Sequence, residues 1–460
     1  MIEIFCTLLM ICIVILGVVK KFHPVTVLFT VSLVSLIIWS LITGQSAMGD
    51  EGVGNIFLDV FEYAYSIIKN QISSTMLVCA SIFGYVGFMN KIGASNAFTT
   101  LLASPLSKIK QPYLLLGTLI ILEAFLKLVI PSASSIVALL LAILYPIFVK
   151  LGCSNATIAS AFILGTCITW GPADAGVALT VTLTGTDIAV SEFFLSYQFL
   201  PCVCEMVVMA VVFVLLSKHY DRKFMTGSGE VTEEQIKKQK ESMDLQVPAY
   251  YAIMPLFPLI LIILFSGKIF PITLSTVAVV LLSLCLADII HLLNHLDKFK
   301  ETLNDMNATL ADFGSFFGRM GFMPIGGALF AGVIGKVGGM DLLVTALNNT
   351  GGGVVLLSIL GVLIAIIVVS CTGSYTANLN IFVPFLVSVA NVTGTNPIAL
   401  AQLGNMACGL GSGLAPVSRT MLFVTGACKV DFPFIFKRNI IPVLSAAATG
   451  LIVSFVFYVF

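Results

Sequence analysis

Apolar runs of roughly bilayer-crossing length recur along the whole chain, separated by short polar turns. Runs 2–19, 25–42, 193–216, 249–265, 272–290 and 440–460 carry at most one charged residue each. A transmembrane helix needs about 20 such residues. The runs are continuous rather than alternating in segments of about ten, so they predict helices and not a β-barrel.

The longest apolar stretches are interrupted by small, mostly uncharged residues, and the interruptions come in pairs. Pro131-Ser132-Ala133-Ser134-Ser135 is followed by Gly171-Pro172-Ala173-Asp174, and Ser370-Cys371-Thr372-Gly373-Ser374 is followed by Gly411-Ser412-Gly413-Leu414-Ala415-Pro416. Ser132 lies 40 residues before Pro172, and Thr372 lies 44 before Pro416. Tyr145-Pro146 and Val383-Pro384 follow the first member of each pair at comparable places. Breaks at corresponding positions in two halves are the pattern of a transporter site built from discontinuous helices.

Charge sets the orientation, because Lys and Arg favour the cytoplasmic side. Lys20, Lys21, Lys91, Lys108 and Lys110 fall on one side, with the clusters at 218–240, 298–300 and 429–438; Lys69, Lys268 and Lys336 fall on the other. Both termini are therefore expected outside. The order of elements in 66–217 recurs in 315–460 with opposite direction. The expected fold is an all-α polytopic membrane protein with inverted repeats, each holding a re-entrant helical hairpin and a broken transmembrane helix, with about ten spanning helices besides the two hairpins.

Residues 1–65 would form N-terminal scaffold helices, and 218–248 a cytoplasmic linker with mixed charge. Residues 249–314 would form central helices and an interfacial segment, in which Leu303, Met306 and Leu310 make one apolar face. Stretches 112–150 and 352–391 admit two full spans with an external turn, or hairpins ending inside the membrane. Their small, uncharged tips favour hairpins, since irregular backbone at that depth must face protein or a watery cavity.

Composition agrees: 58% of residues are hydrophobic and 10% charged, against roughly 25% charged in soluble domains. Zero net charge gives no reason to expect nucleic acid as a partner. The eleven cysteines lie scattered without a CxxC pair, which suits neither zinc nor redox chemistry. No HExxH, P-loop or other acid–base constellation appears, so neither an enzyme nor a bound cofactor is expected.

The candidate chemistry sits at the breaks. Backbone N–H groups at half-helix N-termini attract carboxylates, and freed carbonyls hold cations. Ser132, Ser134 and Ser135 at the first tip, and Thr372, Gly373, Ser374, Thr376 and Asn378 at the second, are candidates to bind substrate with Pro172, Asp174, Pro416, Ser418 and Arg419. Any one hydroxyl is as readily satisfied by its own helix; two symmetric clusters favour a site. Backbone near Ser132, Gly171, Thr372 and Gly413 is the candidate cation cage, with Na+ or H+ as the coupling ion.

A charge at membrane depth costs about 2.5–3.5 kcal/mol, so each needs a reason. Arg419 reads either as a counter-charge for substrate, with Asp174 as the cation or proton site, or as the partner of Asp174. Glu123 and Lys127, four residues apart, predict an intrahelical ion pair, and Arg319 is expected to snorkel to the inner surface.

From about Lys91 to the C-terminus the chain resembles the DcuC family of C4-dicarboxylate carriers, within the ion-transporter superfamily. The resemblance rests on Ser104-Pro105-Leu106, Gln111-Pro112-Tyr113-Leu114-Leu115, Val247-Pro248-Ala249-Tyr250-Tyr251-Ala252-Ile253-Met254-Pro255, Thr372-Gly373-Ser374, Asn396-Pro397 and Leu414-Ala415-Pro416-Val417-Ser418. It implies anaerobic exchange or efflux of succinate, fumarate and malate across a bacterial inner membrane, by a homodimer with a fixed scaffold and a moving transport domain. The first tip and Gly171-Pro172-Ala173-Asp174 match only loosely, and Arg419 stands where a small residue is expected. That leaves amino acids or other small carboxylates as alternative cargo. A channel or a non-transporting scaffold is the alternative of a different class.

Overall fold

The computed structural model describes residues 2–20, 22–103, 109, 111–130, 133–224, 247–265, 270–272, 274–316, 322–338, 342, 345 and 353–459. All regular structure among them is helical. Among the described residues six helices are long and apolar enough to cross a bilayer: Val25–Thr43, Val190–Asp221, Thr276–Asn294, Gly353–Thr372, Tyr375–Thr393 and Phe432–Val459. Shorter apolar helices supply the rest of the membrane body.

The chain opens with α1 (Ile2–Val19) and α2 (Pro24–Thr43). Phe5, Leu9, Ile13 and Leu16 form an exposed apolar stripe along α1, the surface a lipid-facing helix presents. The acidic stretch over 44–66 is helical from Ile56, where α3 (Ile56–Gln71) begins. Asn55 caps it by accepting from the Phe57 and Leu58 N–H groups. Asp59 is drawn inward by Ser46 Oγ at 2.6 Å and the Val53 N–H at 2.7 Å. A π-helical turn at Ile72–Met76 continues into α4 (Leu77–Lys91), followed by α5 (Ala94–Ala103).

The first half then runs through α6 (Pro112–Leu126), α7 (Ala133–Lys150), α8 (Asn155–Cys167), α9 (Ala175–Leu183) and α10 (Phe199–Phe224). Helix α6 has 15 residues, about 22 Å, too short to cross a ~30 Å core alone. Residues 126–130 beyond it are buried, which an external turn would not be. The α6–α7 pair is therefore a hairpin. Helix α7 bends by 51° at residue 142, whose carbonyl loses its helical donor because Pro146 has no N–H.

Central helices α11 (Phe257–Leu264) and α12 (Thr276–Asn294) lead to the expected interfacial segment. It forms two short helices, Phe299–Asp305 and α13 (Asn307–Phe316), rather than one. Leu303 and Leu310 are exposed, as an interfacial face requires. Helix α13 packs on Gly84 and Gly87 of α4, where an added Cβ would lie 2.9 Å from the Thr309 carbonyl and 2.2 Å from Asp312. Small residues allow this close approach.

After α14 (Phe322–Val337), the second half repeats the order: a helical hairpin of α15 (Gly353–Thr372) and α16 (Tyr375–Thr393), whose arms, unlike α6, are each long enough to cross a bilayer, half-helices α17 (Pro397–Ser412) and α18 (Arg419–Cys428), and the long α19 (Phe432–Ser454). Helices α10 and α19 pack on one another, with Gly450 against Glu205. The Asp221 carboxylate straps them together, accepting from Arg438, Thr157 and Ser154. Arg438 is fully buried in that strap, which its reading as one of a cluster of cytoplasmic cations did not foresee. The linker over 225–246, Arg319, Pro131 and Ser132 lie outside the described residues.

Candidate functional site

The second hairpin tip ends against a helix break, and the end of the first arm lies against the other, where a Cβ on Gly171 would meet Leu128 at 2.6 Å. The second tip is the tighter turn: α15 ends at Thr372, and α16 starts at Tyr375 with Ser374 as its cap, accepting from the Ala377 N–H at 3.4 Å. Gly373 between them has φ +70°, and a Cβ there would meet Val417 Cγ2 at 2.6 Å and the Ser418 nitrogen at 3.1 Å. Only glycine meets both demands, so this tip seats directly on the second break. Asn378 fixes the turn, donating to Thr372 Oγ1 at 2.7 Å and to the Ser374 carbonyl at 2.6 Å.

The second break spans 413–418. Ser418 caps α18 by accepting from the Met421 N–H at 3.3 Å. Pro416, Val417 and Arg419 are exposed. The freed carbonyls find neutral donors: Ser370 Oγ at 3.3 Å from the Gly411 oxygen, and Asn439 Nδ2 at 3.1 Å from that of Gly413.

The first break, 168–174, is buried and charged. Asp174 caps α9, its Oδ1 accepting from the N–H groups of Gly176 at 2.8 Å and Val177 at 3.3 Å. Its Oδ2 lies 3.8 Å from Lys127 Nζ. Lys127, at the end of α6, also donates to the carbonyls of Thr166 at 3.0 Å and Ile168 at 2.7 Å. This overturns one expectation and closes one of two alternatives. Lys127 does not pair with Glu123, because the freed carbonyls and Asp174 claim its ammonium. Glu123 packs on Gly165, and among the described residues neither carboxyl oxygen has a hydrogen-bond partner. Nor does Asp174 pair with Arg419, which stays exposed while Asp174 faces inward.

Polar side chains join the two halves here. Asn405 of α17 donates to the Thr169 carbonyl at 2.9 Å and accepts from the hydroxyls of Tyr375 at 2.5 Å and Thr180 at 3.4 Å. Gln198 accepts from the Gly171 N–H at 2.9 Å and donates to the Thr169 carbonyl and to Gln402. Tyr375 lies against Gly176, where a Cβ would sit 2.2 Å from its ring. The second tip thus touches both breaks.

Of the candidates named from sequence, Thr372, Gly373, Ser374, Asn378, Ser418 and the backbone of the second break converge. Asp174 joins them through Gly176 and Tyr375, and Pro172 lies beside it. Ser134 and Ser135 sit exposed in the first turn of α7. Among the cation-cage positions, the Gly171 and Gly413 backbones already have side-chain partners. Sequence reasoning missed Tyr375, Asn405, Gln402, Gln198 and Thr169. The available signal was Gln402 and Asn405 three residues apart on an otherwise apolar helix.

A small apolar crevice of about 20 Å³ lies where the end of the first hairpin arm and the first break meet the central helices, lined by Leu128, Val129, Pro172, Ala173, Pro255 and Leu259 among others. Among the described residues no cluster of three or more His, Cys, Asp or Glu side chains is placed to hold a metal.

Comparison with known proteins gives a family and a fold. The model of the DcuC family, "C4-dicarboxylate anaerobic carrier", matches residues 2–459. The probable anaerobic C4-dicarboxylate transporter DcuC of Vibrio cholerae serotype O1 is 27% identical over 95% of this chain and 93% of its own. The anaerobic C4-dicarboxylate transporter DcuC of Escherichia coli K12 is 25% identical over 95% and 92%. The YdaH transporter of Alcanivorax borkumensis, whose topology is described as unusual, superposes with a TM-score of 0.64 at 14% identity, covering 94% of this chain and 98% of that one. MtrF of Neisseria gonorrhoeae, placed in a class of antimetabolite efflux pumps, gives 0.64 at 14% identity over 94% of each chain.

Proposed function

Because the chain belongs to the DcuC family of C4-dicarboxylate anaerobic carriers, we propose that it is a secondary transporter moving C4-dicarboxylates such as succinate, fumarate and malate across the bacterial cytoplasmic membrane. The observation that carries this reading is the convergence of the second tip with both helix breaks. It puts the N-termini of α16 and α18, capped by Ser374 and Ser418, at one place. Helix N-termini present unpaired N–H groups and positive dipole ends, which suit carboxylates.

In this reading the substrate lies between the second tip and the second break. Thr372, Ser374 and Ser418 supply hydroxyl donors, Asn378 holds the turn that presents them, and Arg419 supplies the positive charge. The apolar contact of Leu128, Val129, Pro172 and Ala173 with Pro255 and Leu259 supports elevator-type movement of the hairpins and half-helices in this reading. The dimer, the outside placement of both termini and the direction of exchange belong to the same proposal.

The test is uptake and counterflow of radiolabelled succinate in proteoliposomes, with and without a sodium or pH gradient. Saturable counterflow by the wild type, and none by Thr372→Trp in protein that still inserts, is the expected outcome. Uptake of an amino acid with no dicarboxylate flux would reassign the cargo. Conductance without saturation or counterflow would indicate a channel.

A further inference from the structure

A fully buried lysine in a membrane protein is costly and calls for a compensating set of partners. Lys127 has one. Helix α8 stops at Cys167, so its last carbonyls have no intrahelical donor and its end carries the negative pole of the helix. The Lys127 ammonium sits on two main-chain carbonyls of that end, Thr166 at 3.0 Å and Ile168 at 2.7 Å. The Asp174 carboxylate, which opens the next half-helix, is 3.8 Å away.

Freed carbonyls at a half-helix C-terminus together with a nearby carboxylate are the ligand set that a coupling cation takes in transporters with broken helices. Here an ammonium held by its own chain fills it, reaching in from the hairpin. The corresponding arm of the other half, α15, offers Ser370 to the Gly411 carbonyl, and Asn439 serves Gly413. Both of those donors are neutral.

We propose that Lys127 is a tethered cation occupying the cation position of the first break, so that this half of the protein takes up no diffusible sodium ion. Any sodium coupling then belongs to the second break alone. The inference deepens the transporter reading and rests on it for its meaning, but its physical core can be measured without transport.

Wild type, Lys127→Ala and Lys127→Met are purified in detergent, and thermal unfolding is followed in sodium chloride and in choline chloride at equal ionic strength. Removing the ammonium leaves two carbonyls and Asp174 facing a space. Lys127→Ala is expected to lose stability in choline and to recover selectively in sodium, with a sodium-dependent rise in Tm larger than the wild type's. Lys127→Met fills the space without charge and should not recover. In proteoliposomes, Lys127→Ala loses succinate counterflow in choline and regains it in sodium.

A Lys127→Ala protein with the same sodium response as wild type overturns the proposal. Should that variant not accumulate, the wild type decides: a Hill coefficient for sodium activation of succinate uptake clearly above one overturns it, and a value of one or no sodium requirement upholds it. If the wild type moves no dicarboxylate at all, the functional reading fails while the comparison of unfolding temperatures still judges Lys127.

Discussion

The two helix breaks occupy equivalent places in the two halves but differ in chemistry. The first is buried, charged and crowded with partners: Lys127, Asp174, Gln198, Asn405 and the ring of Trp170, whose Nε1 donates to the Ala124 carbonyl at 2.7 Å. The second is neutral at its core and open at its rim, where Pro416, Val417 and Arg419 are exposed. Symmetry of position does not carry symmetry of task. The first break is closed, with its charges paired inside the protein, whereas the second leaves a helix N-terminus and a cation exposed, which in the proposed transporter face the solute.

The largest effect is expected where the second tip meets the second break. Gly373 and Gly394 have the same φ of +70°, but only Gly373 has neighbours for a Cβ to strike. In both, alanine costs about 1–2 kcal/mol of left-handed strain. Gly373→Ala must also displace Val417 and the Ser418 backbone. Succinate counterflow is expected to be lost in Gly373→Ala and kept in Gly394→Ala, with both proteins inserted. Equal flux in the two would separate the tip from the transport site.

A smaller effect sharpens the contrast in stability. Asn405 holds the first break through three side-chain hydrogen bonds, whereas Asn439 makes one, to the Gly413 carbonyl, at the second. Asn405→Ala removes the acceptor of the Tyr375 hydroxyl and weakens the hold on the Thr169 carbonyl, a cost of about 1–3 kcal/mol. Asn439→Ala leaves one carbonyl, about 1 kcal/mol. Thermal unfolding in detergent should show the larger drop in Tm for Asn405→Ala. The reverse order would mean that the second break, not the first, is the rigid one.

The sequence predicted the architecture well because small residues and prolines inside apolar runs leave few alternatives: 131–135, 171–174, 370–374 and 411–416 all fall at or beside helix ends. It predicted the polar wiring less well, and the reason is physical. The i,i+4 rule that pairs Glu123 with Lys127 describes a helix surface in water. Inside the protein the ammonium is held by the unpaired carbonyls of another helix together with Asp174, and the Glu123 carboxyl is left against Gly165. Lys127 to Thr166 is a contact across 39 positions, beyond any local pattern. Asn405 and Gln402 were visible as polar residues on an apolar helix, but their partners Thr169 and Gln198 come from the other half of the chain.

The finest test concerns the two cations. Lys127 is spent on carbonyls and Asp174 and has no charge to offer a solute. Arg419 begins α18 beside the exposed Pro416 and Val417, and no hydrogen bond or ion pair holds it among the described residues. A substrate with two carboxylates should therefore feel Arg419 and not Lys127. Arg419→Gln is expected to raise the KM for succinate about tenfold, the loss of one charge-assisted hydrogen bond, with no change in unfolding temperature because nothing in the fold leans on it. Arg419→Lys should recover most of the affinity. An unchanged KM in Arg419→Gln would leave the carboxylates to the helix N-termini alone, and would make the open rim of the second break a matter of access rather than of charge.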